Sequence, residues 1–185
     1  MIALHGNHSS YALGWRDEES QIVRFKALAE VADLNNHSVL DAGCGYGDLY
    51  NYLKGLYPGL GNYCGIEQIP ELLDEAMRRC PDLAATAFIS GNFMIRRLPL
   101  MDYALACGSL NYSSSDPHFI YKAISRLYDS CTKGLAFNIL SKIPSNNLLI
   151  AYRPEEIRHY CLTLSRKVVL KNDYTDDDFT IFMYH

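Results

Sequence analysis

The sequence has no cluster of basic residues. Its 17 lysines and arginines are outnumbered by 21 aspartates and glutamates, and the formal net charge is −4. Proteins that bind DNA or bulk RNA neutralise phosphates with grouped lysine and arginine side chains. The composition therefore disfavours nucleic acid as a partner or substrate.

Clustered metal ligands are also missing. The six cysteines are dispersed without a C-x-x-C pair, and zinc needs grouped thiolate or imidazole ligands. We therefore predict no metal site, and reduced thiols inside the protein. The scattered histidines His5, His8 and His118 are interpreted as surface residues rather than catalytic bases.

Long apolar runs are absent as well. No stretch approaches the roughly 20 residues that a membrane-spanning helix needs. Residues 1–10 have neither the basic nor the apolar part of a secretion signal. We therefore expect a cytoplasmic protein without membrane contact, and its 185 residues predict a single domain.

What the sequence does contain, from residue 38 onward, is short apolar runs alternating with amphipathic stretches. This is the pattern of βα units around a parallel sheet. Two final β-rich runs joined by a polar segment indicate a hairpin. The predicted strands are residues 38–42, 63–66, 86–89, 103–107, 134–139, 166–170 and 179–184, and the predicted helices are residues 48–56, 70–79, 118–130 and 154–162, with a further helix inside residues 11–31.

These elements predict an α/β fold: a Rossmann-like, seven-stranded, mostly parallel sheet with a C-terminal antiparallel hairpin and helices on both faces. Residues 1–36 are expected to form an N-terminal lid or helix segment. Residues 37–185 are expected to form the core of the one domain.

A glycine-rich turn, VLDAGCGYGD, connects the first predicted strand to a helix. Gly43, Gly45 and Gly47 let the main chain approach a ligand closely, and the helix start offers free N–H groups. The spacing is G-x-G-x-G, with Asp41 two residues before the first glycine. A dinucleotide site has G-x-G-x-x-G instead, so the spacing disfavours a nicotinamide-dependent reductase.

The motif DAGCGYG resembles the first motif of class I S-adenosylmethionine (SAM)-dependent methyltransferases. The resemblance covers nearly the whole chain from residue 38 onward. It implies that SAM, with S-adenosylhomocysteine as its product, binds at this turn. The implied cofactor-binding residues of the turn are Asp41, Gly43, Cys44, Gly45 and Gly47.

An acid at the tip of the second strand, Glu67, can accept hydrogen bonds from both hydroxyls of a ribose. The resemblance makes Glu67 the ribose ligand and places Gln68 and Ile69 against the adenine. Asn92 stands where the family commonly has an aspartate that contacts the adenine amino group. Phe93 is expected either on the adenine face or in the core.

The fourth strand ends in Cys107, which we expect, with Gly108 and Ser109, at the methionine end of the cofactor. Asn111 and Tyr112 follow as candidate residues of the methyl-acceptor pocket. The segment has neither the N-P-P-Y signature of exocyclic-amine methyltransferases nor the Pro-Cys nucleophile of cytosine-C5 enzymes. Cys107 is therefore interpreted as a small core residue rather than a nucleophile.

The segment before the first strand often folds over the cofactor in the family that the chain resembles. Tyr11 and Trp15 are candidate walls of the acceptor pocket, although Trp15 could equally anchor a helix. Arg24 could pair with the methionine carboxylate. The alternative for Arg24 is a helix-surface position beside Glu19 or Glu30.

The resemblance implies a methyltransferase that moves a methyl group from SAM to an oxygen, nitrogen or sulfur atom of a small-molecule acceptor. No residue is assigned as a catalytic base, and the oligomeric state stays open. Two alternatives remain. One is a non-catalytic SAM-binding or regulatory module, and the other is a different Rossmann-type transferase, such as an aminopropyltransferase.

Overall fold

The computed structural model describes residues 14–80, 85–143 and 148–185. These residues form a seven-stranded sheet with helices on both faces, as the sequence predicts. Within these ranges, no helix is both long and apolar enough to cross a membrane. The strands are β1 (Val39–Ala42), β2 (Tyr63–Glu67), β3 (Thr86–Ser90), β4 (Met101–Cys107), β5 (Cys131–Leu140), β6 (Lys167–Lys171) and β7 (Asp178–Tyr184), and the helices are α1 (Glu18–Ala29), α2 (Asp48–Leu56), α3 (Pro70–Arg79), α4 (Phe119–Tyr128) and α5 (Pro154–Leu164).

The strand order is β3-β2-β1-β4-β5-β7-β6. Neighbours from β3 to β5 pair in parallel, whereas β7 is antiparallel to both β5 and β6. The chain adds strands on one side of β1 and then crosses to β4 on the other side. In open α/β sheets, ligands bind in the crevice at the carboxyl ends of the strands where such a reversal occurs.

The two faces of the sheet are covered by different helices because successive strand residues point to opposite sides. Val39 belongs to the apolar cluster that contains Phe25 of α1 and Leu53 of α2. Leu40 belongs to the cluster on the other face, which contains Ile124 of α4. Burying one such side chain contributes roughly 1.5–3 kcal/mol, so both faces hold the central strands in place.

Most boundaries agree with the sequence prediction, and the others differ by one to three residues. The helices α2 and α3 have the predicted bounds, whereas α4 is shorter than predicted and α5 runs two residues further. Strand β5 begins three residues before the predicted Gly134. Cys131 already pairs with Met101 of β4. The next two residues, Thr132 and Lys133, are exposed and polar, so the apolar pattern that predicts a strand starts only after them.

Candidate cofactor site

The glycine turn leaves β1 with main-chain angles that only glycine adopts without strain. Gly43, Gly45 and Gly47 have φ angles of 80°, 55° and 74°. A Cβ atom on Gly43 would lie 2.5 Å from Cβ of Ser109, and one on Gly47 would lie 2.8 Å from Sγ of Cys80. Ser109 and Cys80 thus leave no room for side chains at Gly43 and Gly47, and the turn leads directly into the N-terminus of α2.

Glu67 faces this turn from the end of β2, with only 7% of its surface exposed. Its Oε2 accepts a hydrogen bond of 3.0 Å from the backbone N–H of Gly45. Its Oε1 accepts bonds of 2.8 and 2.9 Å from the N–H groups of Gln68 and Ile69. The carboxylate is therefore oriented before any ligand arrives. A carboxylate has about four acceptor positions, and three of them are used here, so Oε2 keeps one position for a ribose hydroxyl.

Asp41 lies beneath the turn rather than at its surface. Its carboxyl group is fully buried and accepts a hydrogen bond from the Tyr63 hydroxyl. Burial raises the pKa of Asp41 to about 7, and the charge of Glu67 adds to the increase. The side chain of Cys44 is buried too, and burial raises the pKa of its thiol. Direct cofactor contacts from these two side chains stay a prediction, while both residues support the turn from inside.

The third predicted element follows β3. The Oδ1 atom of Asn92 accepts a 2.8 Å hydrogen bond from the N–H of Met94, so this amide oxygen is used within its own turn. Phe93 packs against the apolar cluster on the α4 face, which agrees with its interpretation as a core residue. Adenine contacts by Asn92 and Phe93 remain predictions.

The end of β4 is fixed by an amide from the neighbouring strand. Asn138 of β5 accepts from the N–H of Gly108 at 3.0 Å and donates to Sγ of Cys107 at 3.5 Å. The hydroxyl of Ser109 donates to the carbonyl of Ala42 at 2.6 Å, which joins the β4 loop to the end of β1. Burial raises the pKa of the Cys107 thiol, so the thiol is neutral and poorly suited to nucleophilic attack.

The structure corrects one of the two expectations for Arg24. Its guanidinium is buried, and it does not lie at a helix surface beside Glu19 or Glu30. Its Nε donates to Asp178 at 2.9 Å and its Nη2 to Asp177 at 3.1 Å. Its Nη1 donates to the carbonyl of Ser20 at 2.8 Å. Three of the five guanidinium N–H groups are thus used inside the protein, and pairing with a cofactor carboxylate remains a prediction.

The candidate acceptor residues fall into two groups. Trp15 lies against Gly108, where an added Cβ would meet its ring at 2.8 Å, and the Tyr112 hydroxyl lies beside Gly14. Asn111 is buried and its amide donates to the carbonyl of Ile150 at 3.0 Å, so it holds two loops together. Tyr11 lies outside the described residues, as do His5 and His8.

Four residues near these groups were not predicted from the sequence. Asn138 of β5 bonds to the end of β4, and Asp178 of β7 bonds to Arg24. Tyr174, in the loop between β6 and β7, bonds to Asp178, and Tyr63 bonds to Asp41. Three consecutive aspartates, residues 176–178, immediately precede an apolar strand. An acid in that position is the one sequence signal that could have indicated a buried ion pair.

The fold matches that of many solved methyltransferases, although no protein-family model and no curated protein matches the sequence. The magnesium protoporphyrin IX methyltransferase of Synechocystis PCC 6803, crystallised with S-adenosylhomocysteine, has a TM-score of 0.71 and 12% identity, over 100% of this chain and 99% of that one. For human N-acetylserotonin methyltransferase in complex with SAM, the values are 0.68 and 16%, over 98% and 64% of the two chains.

A SAM-dependent methyltransferase from Aquifex aeolicus is a third structural neighbour. Its TM-score is 0.66 at 16% identity, and the alignment covers 96% of this chain and 98% of that one. The chain therefore has the class I SAM-dependent methyltransferase fold.

Proposed function

We propose that this chain is a cytoplasmic, single-domain methyltransferase that moves a methyl group from SAM to an oxygen, nitrogen or sulfur atom of a small molecule. The observation that carries the proposal is the hydrogen bond between Glu67 and the Gly45 N–H. It joins the carboxylate at the tip of β2 to the bare glycine turn after β1. This pairing suits a ligand with both a ribose diol and a group that approaches the turn closely.

The residues present fit SAM. Gly43 and Gly47 have positive φ angles and no room for a Cβ, so the turn is held close to Ser109 and Cys80, and Glu67 keeps one acceptor position for a ribose hydroxyl. The end of β4, with Cys107 and Gly108, would border the methionine part. When bound, SAM supplies a methyl group that its sulfonium has already activated.

The residues around the proposed acceptor position suit alignment better than proton removal. Burial raises the pKa of both Cys107 and Tyr112, and the charge of Glu67 raises that of Tyr112 further. A group with a raised pKa of this kind keeps its own proton at neutral pH, so its basic, ionised form is scarcely populated. Alignment of the two reactants can itself supply several kcal/mol of the barrier reduction, so the chain's contribution is to orient the acceptor and exclude water.

A small-molecule acceptor is supported by the lack of a large insertion between β5 and the β6–β7 hairpin. The acceptor pocket would be built from the segment before β1, the loop after β4 and the connection after β5. Two of the structural neighbours are named for small-molecule substrates, magnesium protoporphyrin IX and N-acetylserotonin. These names belong to those proteins, and for this chain they support a class of acceptor rather than a particular one.

Isothermal titration with SAM, S-adenosylhomocysteine, decarboxylated SAM and NAD tests the proposal. We expect SAM and S-adenosylhomocysteine to bind and NAD to give no heat of binding. Preference for decarboxylated SAM would support the aminopropyltransferase alternative, and binding of NAD alone would refute the proposed cofactor. Transfer of a labelled methyl group to a small-molecule extract then separates an enzyme from a non-catalytic SAM-binding module.

A further inference from the structure

A buried ion pair connects the N-terminal segment to the last strand of the sheet. Arg24 of α1 and Asp178, the first residue of β7, have side chains that are 7% and 3% exposed and meet at 2.9 Å. The second carboxylate oxygen of Asp178 accepts from the hydroxyl of Tyr174, which also bonds Thr180 at 2.8 Å. Both oxygens of Asp178 are thus satisfied, and the guanidinium is held in one orientation.

The guanidinium in turn faces Trp15. The Cζ atom of Arg24 lies 5.6 Å from the centre of the indole ring, within the range of a cation–π contact. The ring lies over the main chain of Gly108, which has a φ angle of 68° and no room for a side chain. Trp15 therefore occupies the space between Arg24 and the end of β4.

Asn138 closes this arrangement from the sheet. Its Nδ2 donates to the carbonyl of Arg24 at 3.4 Å, while its Oδ1 accepts from the N–H of Gly108. Asn138 thus joins the main chain of Arg24 to the end of β4, while the indole lies between the guanidinium and Gly108. Trp15 itself is only two residues before Asp17, whose side chain caps α1 through Ser20 at 2.6 Å.

We propose that Arg24 and Asp178 are a positioning pair that holds Trp15 across the end of β4, where it forms a fixed wall of the acceptor pocket. The holding of Trp15 is independent of the reaction, whereas its role as a pocket wall rests on the proposed function. Buried ion pairs seldom add stability beyond that of well-packed apolar residues. An apolar pair could fill the same space, but it could not present a planar cation to the indole.

Fluorescence tests the positioning directly, because Trp15 is the only tryptophan in the chain. We expect Asp178→Asn and Arg24→Met to shift the emission maximum to longer wavelength and to steepen quenching by acrylamide. The matched control is Glu30→Gln, which removes the 3.2 Å ion pair between the end of α1 and Lys171 of β6. This control should retain the wild-type spectrum and quenching.

A second variant distinguishes a loss of Trp15 positioning from misfolding of the protein. The double change Arg24→Met with Asp178→Leu removes both buried charges together, and such replacements often leave the folded state intact. Circular dichroism melts establish that it folds. A folded double variant whose Trp15 is as protected from acrylamide as in the wild type would overturn the proposal, and an exposed Trp15 supports it.

Ligand binding separates this role from direct recognition of the cofactor by Arg24. A positioning pair that shapes the acceptor pocket predicts that Asp178→Asn and Arg24→Met both leave S-adenosylhomocysteine binding close to the wild-type value. Direct recognition of the methionine carboxylate predicts a loss in Arg24→Met alone, and none for methylthioadenosine, which lacks that carboxylate. The second pattern would overturn the pair. Failure of the wild type to bind S-adenosylhomocysteine would refute the proposed function and leave the fluorescence result standing.

Discussion

The carboxyl edge of the sheet has two sides that are built from different parts of the chain. On the proposed cofactor side, formed by the glycine turn and Glu67, the defining contacts come from main-chain N–H groups, and the bonded residues Gly45 and Glu67 are 22 positions apart. On the proposed acceptor side, formed by Trp15, Arg24, the end of β4 and Asp178, the contact that joins the most distant segments is between two side chains. Arg24 and Asp178 are 154 positions apart.

This difference explains why one side can be interpreted from sequence and the other cannot. A main-chain site depends on where glycines stand, and that spacing is visible in the sequence. A side-chain site depends on which distant segments the fold brings together. The following predictions test the contrast, and they run from the largest expected effect to the smallest.

Gly43→Val should abolish S-adenosylhomocysteine binding. The branched side chain would have to occupy space within 2.5 Å of Ser109 Cβ, at a φ angle of 80°. Titration calorimetry measures the loss. The control is Gly55→Ala in α2, where an added Cβ meets no atom within 4 Å; it should bind normally, and wild-type affinity in Gly43→Val would show that the turn is not the site.

Asp41→Asn should make stability less dependent on pH. Because folding raises the pKa of Asp41 from 3.8 to about 7, the folded state binds more protons than the unfolded state over that range. Its contribution is fully present below pH 4 and is lost as the pH rises through 7, at about 1.4 kcal/mol per pKa unit. The variant removes the charge and keeps an acceptor for Tyr63, so it should be several kcal/mol more stable than the wild type at pH 8.

Urea unfolding between pH 4 and pH 8 measures this effect. Asp102→Asn is the matched control at the other end of the sheet, because the Ser38 backbone N–H lowers the pKa of Asp102. Its contribution is present above the unfolded pKa and is lost as the pH falls, so that variant should lose stability at neutral pH. Equal pH profiles for wild type and Asp41→Asn would show that Asp41 is not a buried titrating group.

Glu67→Ala should weaken S-adenosylhomocysteine binding by about 1–3 kcal/mol, because a ribose hydroxyl loses its acceptor. A 2′-deoxy analogue should bind the wild type more weakly and lose little further affinity in the variant. Calorimetry on all four combinations gives the coupling between Glu67 and the hydroxyl. Fully additive losses would place the ribose elsewhere.

Asn111→Ala should have the smallest effect and only on the acceptor side. It removes one amide hydrogen bond to the carbonyl of Ile150, which is worth about 1 kcal/mol of the free energy of unfolding. Binding of S-adenosylhomocysteine should stay within error of the wild type. A large loss of cofactor affinity would mean that the two sides are not separable.

Most of the fold could be predicted from the sequence because its apolar residues recur with clear helix and strand periods. Helices α2 and α3 have the predicted bounds, and each begins at a recognisable start, the glycine turn before Asp48 and the first-turn Pro70. The glycine spacing was visible in the sequence, and Glu67 was assigned as the ribose ligand through the family resemblance. Their roles in binding a cofactor remain predictions for the experiments above.

The rest of the candidate site depends on contacts between residues that are distant in the sequence, and no local pattern predicts such contacts. The partner of Arg24 lies on β7, the support of Gly108 is Asn138 on β5, and the partner of Asp41 is Tyr63 on β2. Each is a polar residue inside a strand that otherwise has the composition of a buried element. Such residues acquire a role only when the order of strands in the sheet is known.

That order has a consequence for synthesis of the protein. Strand β7 lies between β5 and β6, pairing with Gly134–Leu140 on one side and Lys167–Lys171 on the other. During translation, β6 has no partner strand within the described sheet until β7 has been synthesised. The ion pair between Arg24 and Asp178 cannot form before then either. Strands β1 to β5 can pair before β7 is synthesised, but β6 and β7 can complete the described sheet only after residue 184 has left the exit tunnel.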